Sequence, residues 1–145
     1  RMRAAVRASV RRGSRRHFSI EAYTGKLSDL RSCVAQVSSS SVIRVSGEDS
    51  AKFLQGFVSN DVNALGPGTE RAQYAGWLNR KGRFLYDTIL VREPNAGEDE
   101  FVMVCEGDAV DALLKHIRVF KFRNKVEAVD ASDELKVWSV LDNDS

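Results

Sequence analysis

Residues 74–90 read YAGWLNRKGRFLYDTIL. Two apolar runs flank the polar turn Asn79-Arg80-Lys81-Gly82, whose Asn and Gly suit the backbone angles of a tight reversal. Residues 73–78 and 83–91 are therefore expected to fold back as an antiparallel hairpin. Along the second run, Leu85, Asp87 and Ile89 share one face of a strand, and Tyr86, Thr88 and Leu90 share the other. Asp87 thus sits between two large apolar neighbours on its own face. A carboxylate in that place either faces water, as a device that keeps an edge strand soluble, or points inward. Pointing inward, its lost hydration must be offset by hydrogen bonds or by a cationic or N–H-rich ligand.

Upstream of the hairpin, residues 34–37 and 42–45 are short β-branched runs joined by four serines, and read as a hairpin or as paired strands. Ser46, Gly47, Glu48 and Asp49 offer polar caps to a helix over residues 49–59, on which Phe53, Leu54, Phe57 and Val58 share a face. Residues 63–69, with Gly66-Pro67-Gly68, form a turn-rich loop. Downstream, residues 94–97 end the second strand and residues 101–105 begin a third. Gly107 and Asp108 cap a second helix, where Val110, Leu113, Leu114 and Ile117 follow helical spacing. Residues 125–129 and 135–141 close the chain as two more strands. The order of elements predicts an α+β fold, a mostly antiparallel sheet with two helices packed on one side. A strand so near the C-terminus leaves an edge to be paired, and the protein is expected to continue.

At 145 residues and 43% hydrophobic, the chain suits one domain with a real core, which excludes a disordered polymer. No apolar run approaches about 18 residues, so no membrane-spanning helix is expected. Cys33 and Cys105 lie too far apart for a disulfide framework or a paired metal-ligand motif. The net charge of +2 hides an asymmetry. Residues 1–20 hold seven arginines and no acid, leaving fifteen basic and twenty acidic side chains over residues 21–145, a net of −5. Wound as a helix, the leader sets Met2, Val6 and Val10 beside Arg3, Arg7, Arg11 and Arg15. A cationic amphipathic helix free of acids is the pattern of a mitochondrial transit peptide, read by the import machinery, with processing expected after Phe18. A solvated tail and an RNA-binding arm are the other readings, and the mildly acidic body speaks against nucleic acid. Residues 21–33 read as a linker.

The sequence holds no P-loop, dinucleotide fingerprint, zinc-protease motif or nucleophile elbow. His17 lies in the leader. His116, beside Leu113 and Ile117, reads as a boundary histidine, and Cys105, ending an apolar strand, as a small buried hydrophobe. No metal bound by this chain alone is expected.

The ordered string of segments is familiar as a whole. Residues 42–49, VIRVSGED, followed by 53–62, FLQGFVSNDV, resemble the signature of the folate-binding YgfZ-type family, which is related to the glycine-cleavage aminomethyltransferase. Leu78-Asn79, Gly82-Arg83 and Leu85-Tyr86-Asp87 are similar to that family's "LN..GR.LYD" segment. Lys115-His116, Lys125-Val126 and residues 135–138 resemble its mitochondrial branch, whose members act late in making four-iron iron–sulfur clusters. The similarity spans residues 34–141, so residues 34–145 are identified as the N-terminal part of a GcvT/YgfZ-like domain.

The resemblance implies a mitochondrial matrix protein that binds tetrahydrofolate or a related pterin, with cluster assembly proteins and client apoproteins as partners. It makes Asp87 the folate-facing acid, with Tyr86 where the transferases carry a preceding acid. Val102 and Val104 are implied apolar contacts and Asn79 belongs to the same set. The strand of Val102 ends at Glu106, where the transferases have Asn. The family's Lys-Gly-Cys-Tyr-x-Gly-Gln-Glu run, with its reactive cysteine, does not occur in this chain. An assembly factor without demonstrated catalysis is the leading expectation. A folate-dependent transferase or oxidoreductase is the alternative, and a basic-armed RNA-binding protein a remote one.

Overall fold

A computed structural model describes residues 32–66, 72–92 and 99–142. The leader, most of the linker and the turn at residues 94–97 lie outside the described residues. The hairpin forms as its turn chemistry dictates. The Asn79 side-chain oxygen accepts the backbone N–H groups of Lys81 (2.8 Å) and Arg83 (3.0 Å), and Gly82 adopts φ +72°. This turn joins β3 (Ala72–Leu78) to β4 (Phe84–Arg92). A bulge between Trp77 and Leu78 shifts the register, so that Trp77 opposes Tyr86, Gly76 opposes Asp87 and Tyr74 opposes Ile89.

The hairpin is one side of a five-stranded antiparallel sheet. With β2 (Ser40–Ser46), β5 (Glu100–Glu106) and β6 (Glu127–Asp130), the strand order is β3-β4-β5-β2-β6. The expected pairing of residues 34–37 with 42–45 does not form. Instead β1 (Ser32–Gln36) pairs antiparallel with β7 (Trp138–Asp142) in a separate two-stranded sheet, which also gives the last strand its partner. Burial is the reason: Ile43 and Val45 are wholly buried, so β2 takes neighbours on both edges, β5 and β6, whereas Val34 is exposed.

Two helices cover one face of this sheet. The helix α1 (Ser50–Gln55) is shorter than the expected 49–59, because beyond Gly56 the main chain turns and runs along β3. There the Leu78 N–H donates to the Phe57 carbonyl (2.7 Å) and the Ser59 N–H to that of Gly76 (3.0 Å), satisfying backbone groups of an otherwise open strand edge. Phe53, Leu54 and Val58 are buried as their spacing predicts, with Phe57 half-buried beside them. The capping expectations fail. Asp49 stands at the N-cap position, yet its carboxylate accepts the Lys125 N–H (2.8 Å). Gly107–Ala109 forms a 3₁₀ turn, and α2 (Val110–Phe120) starts without a side-chain cap. Burial holds α2 in place: Val110, Leu113 and Ile117 enter the core beside Trp77, Leu90, Phe101 and Met103. Each such Leu or Ile contributes on the order of 1.5–3 kcal/mol.

Candidate functional site

The opposite face of the sheet carries the candidate residues. Cross-strand partners share a face, so Tyr74, Gly76, Asp87, Ile89, Val102, Val104, Val42 and Arg44 all point away from the helices. Half of this surface is covered: Ala131, Leu135 and Val137 pack on Val42, Val102 and Val104. The half over β3 and β4 is open, with Tyr74 58% exposed and Asp87 exposed beside it.

The Tyr74 hydroxyl donates to the Asp87 Oδ1 atom. Tyr74 is diagonal to Asp87 across the strand pair, a separation that a long side chain spans. This hydrogen bond to a carboxylate, with lesser help from desolvation and from the carboxylate's charge, raises the Tyr74 phenol above its ordinary value. No cation pairs with Asp87 among the described residues. Gly76, opposite Asp87, allows the exposed Phe84 ring to lie across the strand. A Cβ at residue 76 would stand 2.8 Å from that ring and 3.3 Å from the Ser59 hydroxyl. The result is a carboxylate and a phenol set among exposed or half-buried apolar side chains, Phe84, Leu85 and Ile89.

Of the five residues expected to form a site, Asp87, Val102 and Val104 share this face. Ile89 lies opposite Val104 and two residues from Asp87, and so links them. Tyr86 is not brought there: it points to the helices and packs against the core. Asn79 lies in the turn, where its side-chain oxygen is engaged by two backbone N–H groups. Tyr74 was missed by sequence reasoning. With no bulge, counting back from the Leu78–Phe84 pair sets Asp87 opposite Ala75 and turns Tyr74 to the other side. The extra residue Leu85 slides β4 by one and unites the two.

His116 and Cys105 have structural surroundings. The Trp77 indole N–H donates to His116 Nδ1 (2.9 Å), and the imidazole meets Phe57, Trp77 and Phe120 edge-on. Burial lowers its pKa below 6.5. Cys105 is buried, and burial first, then the charges of Asp130 and Asp108, pushes its thiol up to about 11. Among the described residues no group of three or more His, Cys, Asp or Glu side chains is placed to hold a metal ion, and no helix is long and apolar enough to cross a membrane. Two shallow concavities, of about 350 and 570 Å³, lie around Gly47 and Lys125 and around Lys52 and Gln55, and Asp87 lines neither.

A five-stranded antiparallel sheet with helices on one face and an acid on the other is an architecture with known relatives. The chain belongs to the GCVT N-terminal domain family, whose model matches residues 29–141. Among solved structures it is similar to the glycine cleavage system aminomethyltransferase T from Bartonella henselae. That likeness has a TM-score of 0.65 at 20% identity, covers 78% of this chain and 29% of that one, and concerns the fold. Among curated proteins, the chain is similar to "Iron-sulfur cluster assembly factor IBA57, mitochondrial" of Mus musculus. The two are 42% identical over 108 residues, 69% of this chain and 30% of the mouse protein. The protein of the same name from Homo sapiens is 38% identical over 107 residues, 69% of this chain and 30% of its own length. The Dictyostelium discoideum homolog is 31% identical over 136 residues, 80% of this chain and 33% of its length. The chain spans about a third of the length of these relatives.

Proposed function

We propose that this chain is part of a mitochondrial iron–sulfur cluster assembly factor and supplies one wall of a folate-binding site. The observation that carries the reading is the Asp87 carboxylate, held by Tyr74 on an open, largely apolar sheet face. Such a donor set fits a reduced pterin. A planar ring buries apolar area against Ile89 and its neighbours, and its N–H edge donates to a carboxylate that no cation pairs with among the described residues. One Asp87 oxygen accepts from Tyr74, which fixes the carboxylate's direction and leaves the second oxygen for the ligand. Val102 and Val104 support the floor from the adjacent strand, beneath residues 131–137.

The assembly role is supported by the likeness to factors named for it. On this reading residues 1–20 are a transit peptide, the protein works in the matrix, and its partners are cluster assembly proteins and four-iron client apoproteins. Equilibrium titration of the protein with tetrahydrofolate, beside Asp87→Asn, tests the site. Loss of one charge-assisted hydrogen bond weakens binding by about 10- to 100-fold, and unchanged affinity removes Asp87 from the site. The assembly role is tested separately: cells lacking the protein lose activity of four-iron mitochondrial enzymes and regain it on re-expression. Intact four-iron enzymes in such cells would refute it.

A further inference from the structure

Residues 112–126 carry five cations (Lys115, Arg118, Lys121, Arg123 and Lys125) and no acid, whereas the remainder of residues 21–145 carries ten cations and twenty acids. This basic island lies at the C-terminal end of α2. Lys115, Arg118 and Val119 fall at i, i+3 and i+4 on the solvent face of α2, Phe122 follows in the turn just past its end, and all four are exposed. Phe122 is 89% exposed and Val119 56%. Phe122 also has φ +46°, the one non-glycine residue with positive φ among the described residues. It occupies the first central position of a turn closed by the Asn124 N–H on the Lys121 carbonyl (2.7 Å), where turn chemistry favours Gly. A bulky aromatic held in left-handed backbone and presented to water is costly to the fold twice over, by strain and by exposure.

We infer that the C-terminal end of α2 and the turn that follows it, with Phe122 as anchor, form a docking surface for an acidic segment of another protein that presents an apolar side chain. Charge complementarity selects this occupant. Lys121 and Lys125 are engaged within the chain, by the Val126 carbonyl and by Glu48, while Lys115, Arg118 and Arg123, close in sequence to the two apolar side chains, make no ion pair among the described residues. An extended polyanion such as RNA is disfavoured, because Glu48 and Glu127 lie close by and the acidic body repels a strand running past the island. A short acidic segment ends before it meets that field, and aromatic and Arg side chains are the residues that most often carry binding energy at protein interfaces.

The test is fluorescence anisotropy with a labelled synthetic helical peptide that carries Glu and Asp on one side and Leu at i and i+4. U-rich single-stranded RNA and phosphatidylcholine vesicles with and without phosphatidylserine are the competing probes. Binding to the peptide is expected to weaken by about tenfold or more in Phe122→Gly and in Arg118→Glu/Arg123→Glu, to weaken with salt, and to be unchanged in Lys136→Glu. Phe122→Gly is also expected to melt at or above the parent temperature, since Gly relieves the positive φ; a purely structural Phe122 would lower it. Absence of peptide binding, equal binding by the Phe122 and Arg variants, or preference for RNA or anionic vesicles overturns the proposal.

Discussion

Gly47→Ala is predicted to be among the most damaging single-methyl additions to this chain. Gly47 sits between β2 and α1 with φ +119°, a conformation essentially restricted to Gly, so a side chain there costs about 1–3 kcal/mol in backbone strain alone. The added Cβ would also fall inside the van der Waals shell of the Lys125 carbonyl oxygen, 2.9 Å from its carbon and 3.3 Å from the Val126 Cα. These are main-chain atoms, so no rotamer change relieves the overlap. Moving residues 125–126 away strains two hydrogen bonds that tie the start of α1 to the approach of β6. They run from the Lys125 N–H to the Asp49 carboxylate (2.8 Å) and from the Asp49 N–H to the Lys125 carbonyl (3.4 Å). At about 0.5–1.5 kcal/mol each, the combined destabilisation is about 2–6 kcal/mol, a large share of the roughly 5–15 kcal/mol that holds a domain together. Gly82→Ala is the internal control. Gly82 also has positive φ, +72°, but nothing lies within 4 Å of its would-be Cβ, so only the conformational cost applies, about 1 kcal/mol. Urea unfolding of both variants measures the difference. If Gly47→Ala costs no more than Gly82→Ala, the close approach of residues 47 and 125 is refuted.

Three further outcomes follow from the site and the core. The His116 pKa is lowered by burial, so folding excludes its proton. Stability is therefore full above 6.5 and falls as pH drops below 6.5 toward the lower folded value, because protonated Nδ1 no longer accepts the Trp77 N–H. Thermal melts across that range check this, and His116→Gln should flatten the dependence. Cys105, buried with its thiol at about 11, should resist alkylation at neutral pH until the chain unfolds; mass spectrometry of Cys105 in urea should show labelling that tracks global unfolding. Asp87→Asn should bring the Tyr74 phenol down toward its ordinary value of 10.0, read as an absorbance titration with Tyr74→Phe as the assignment.

Local patterns carried a good part of the fold. Alternation along residues 83–91 put Asp87 on the face opposite Thr88 and Leu90, because a strand leaves successive side chains no other choice, and the packing of the helices decided that the Thr88 face is the buried one. Helical spacing likewise selected Leu54, Leu113 and Ile117 for the core, and the Asn79–Gly82 turn located the hairpin. Helix starts were less legible, since Asp49 spends its carboxylate on Lys125, a partner far along the chain that no local motif announces.

The sequence by itself determined the α+β character, the hairpin, the two amphipathic helices and the singular position of Asp87, since each depends on periods of a few residues. Tertiary structure alone decided that β1 leaves its neighbour β2 for β7, because two short β-branched runs carry no record of which edge each will find. It alone decided that Tyr74 joins Asp87, whereas alternation along β4 already turned Tyr86 to the other face. One bulged residue, Leu85, sets which faces coincide, and a register shift of one residue costs little locally yet reverses every side chain beyond it.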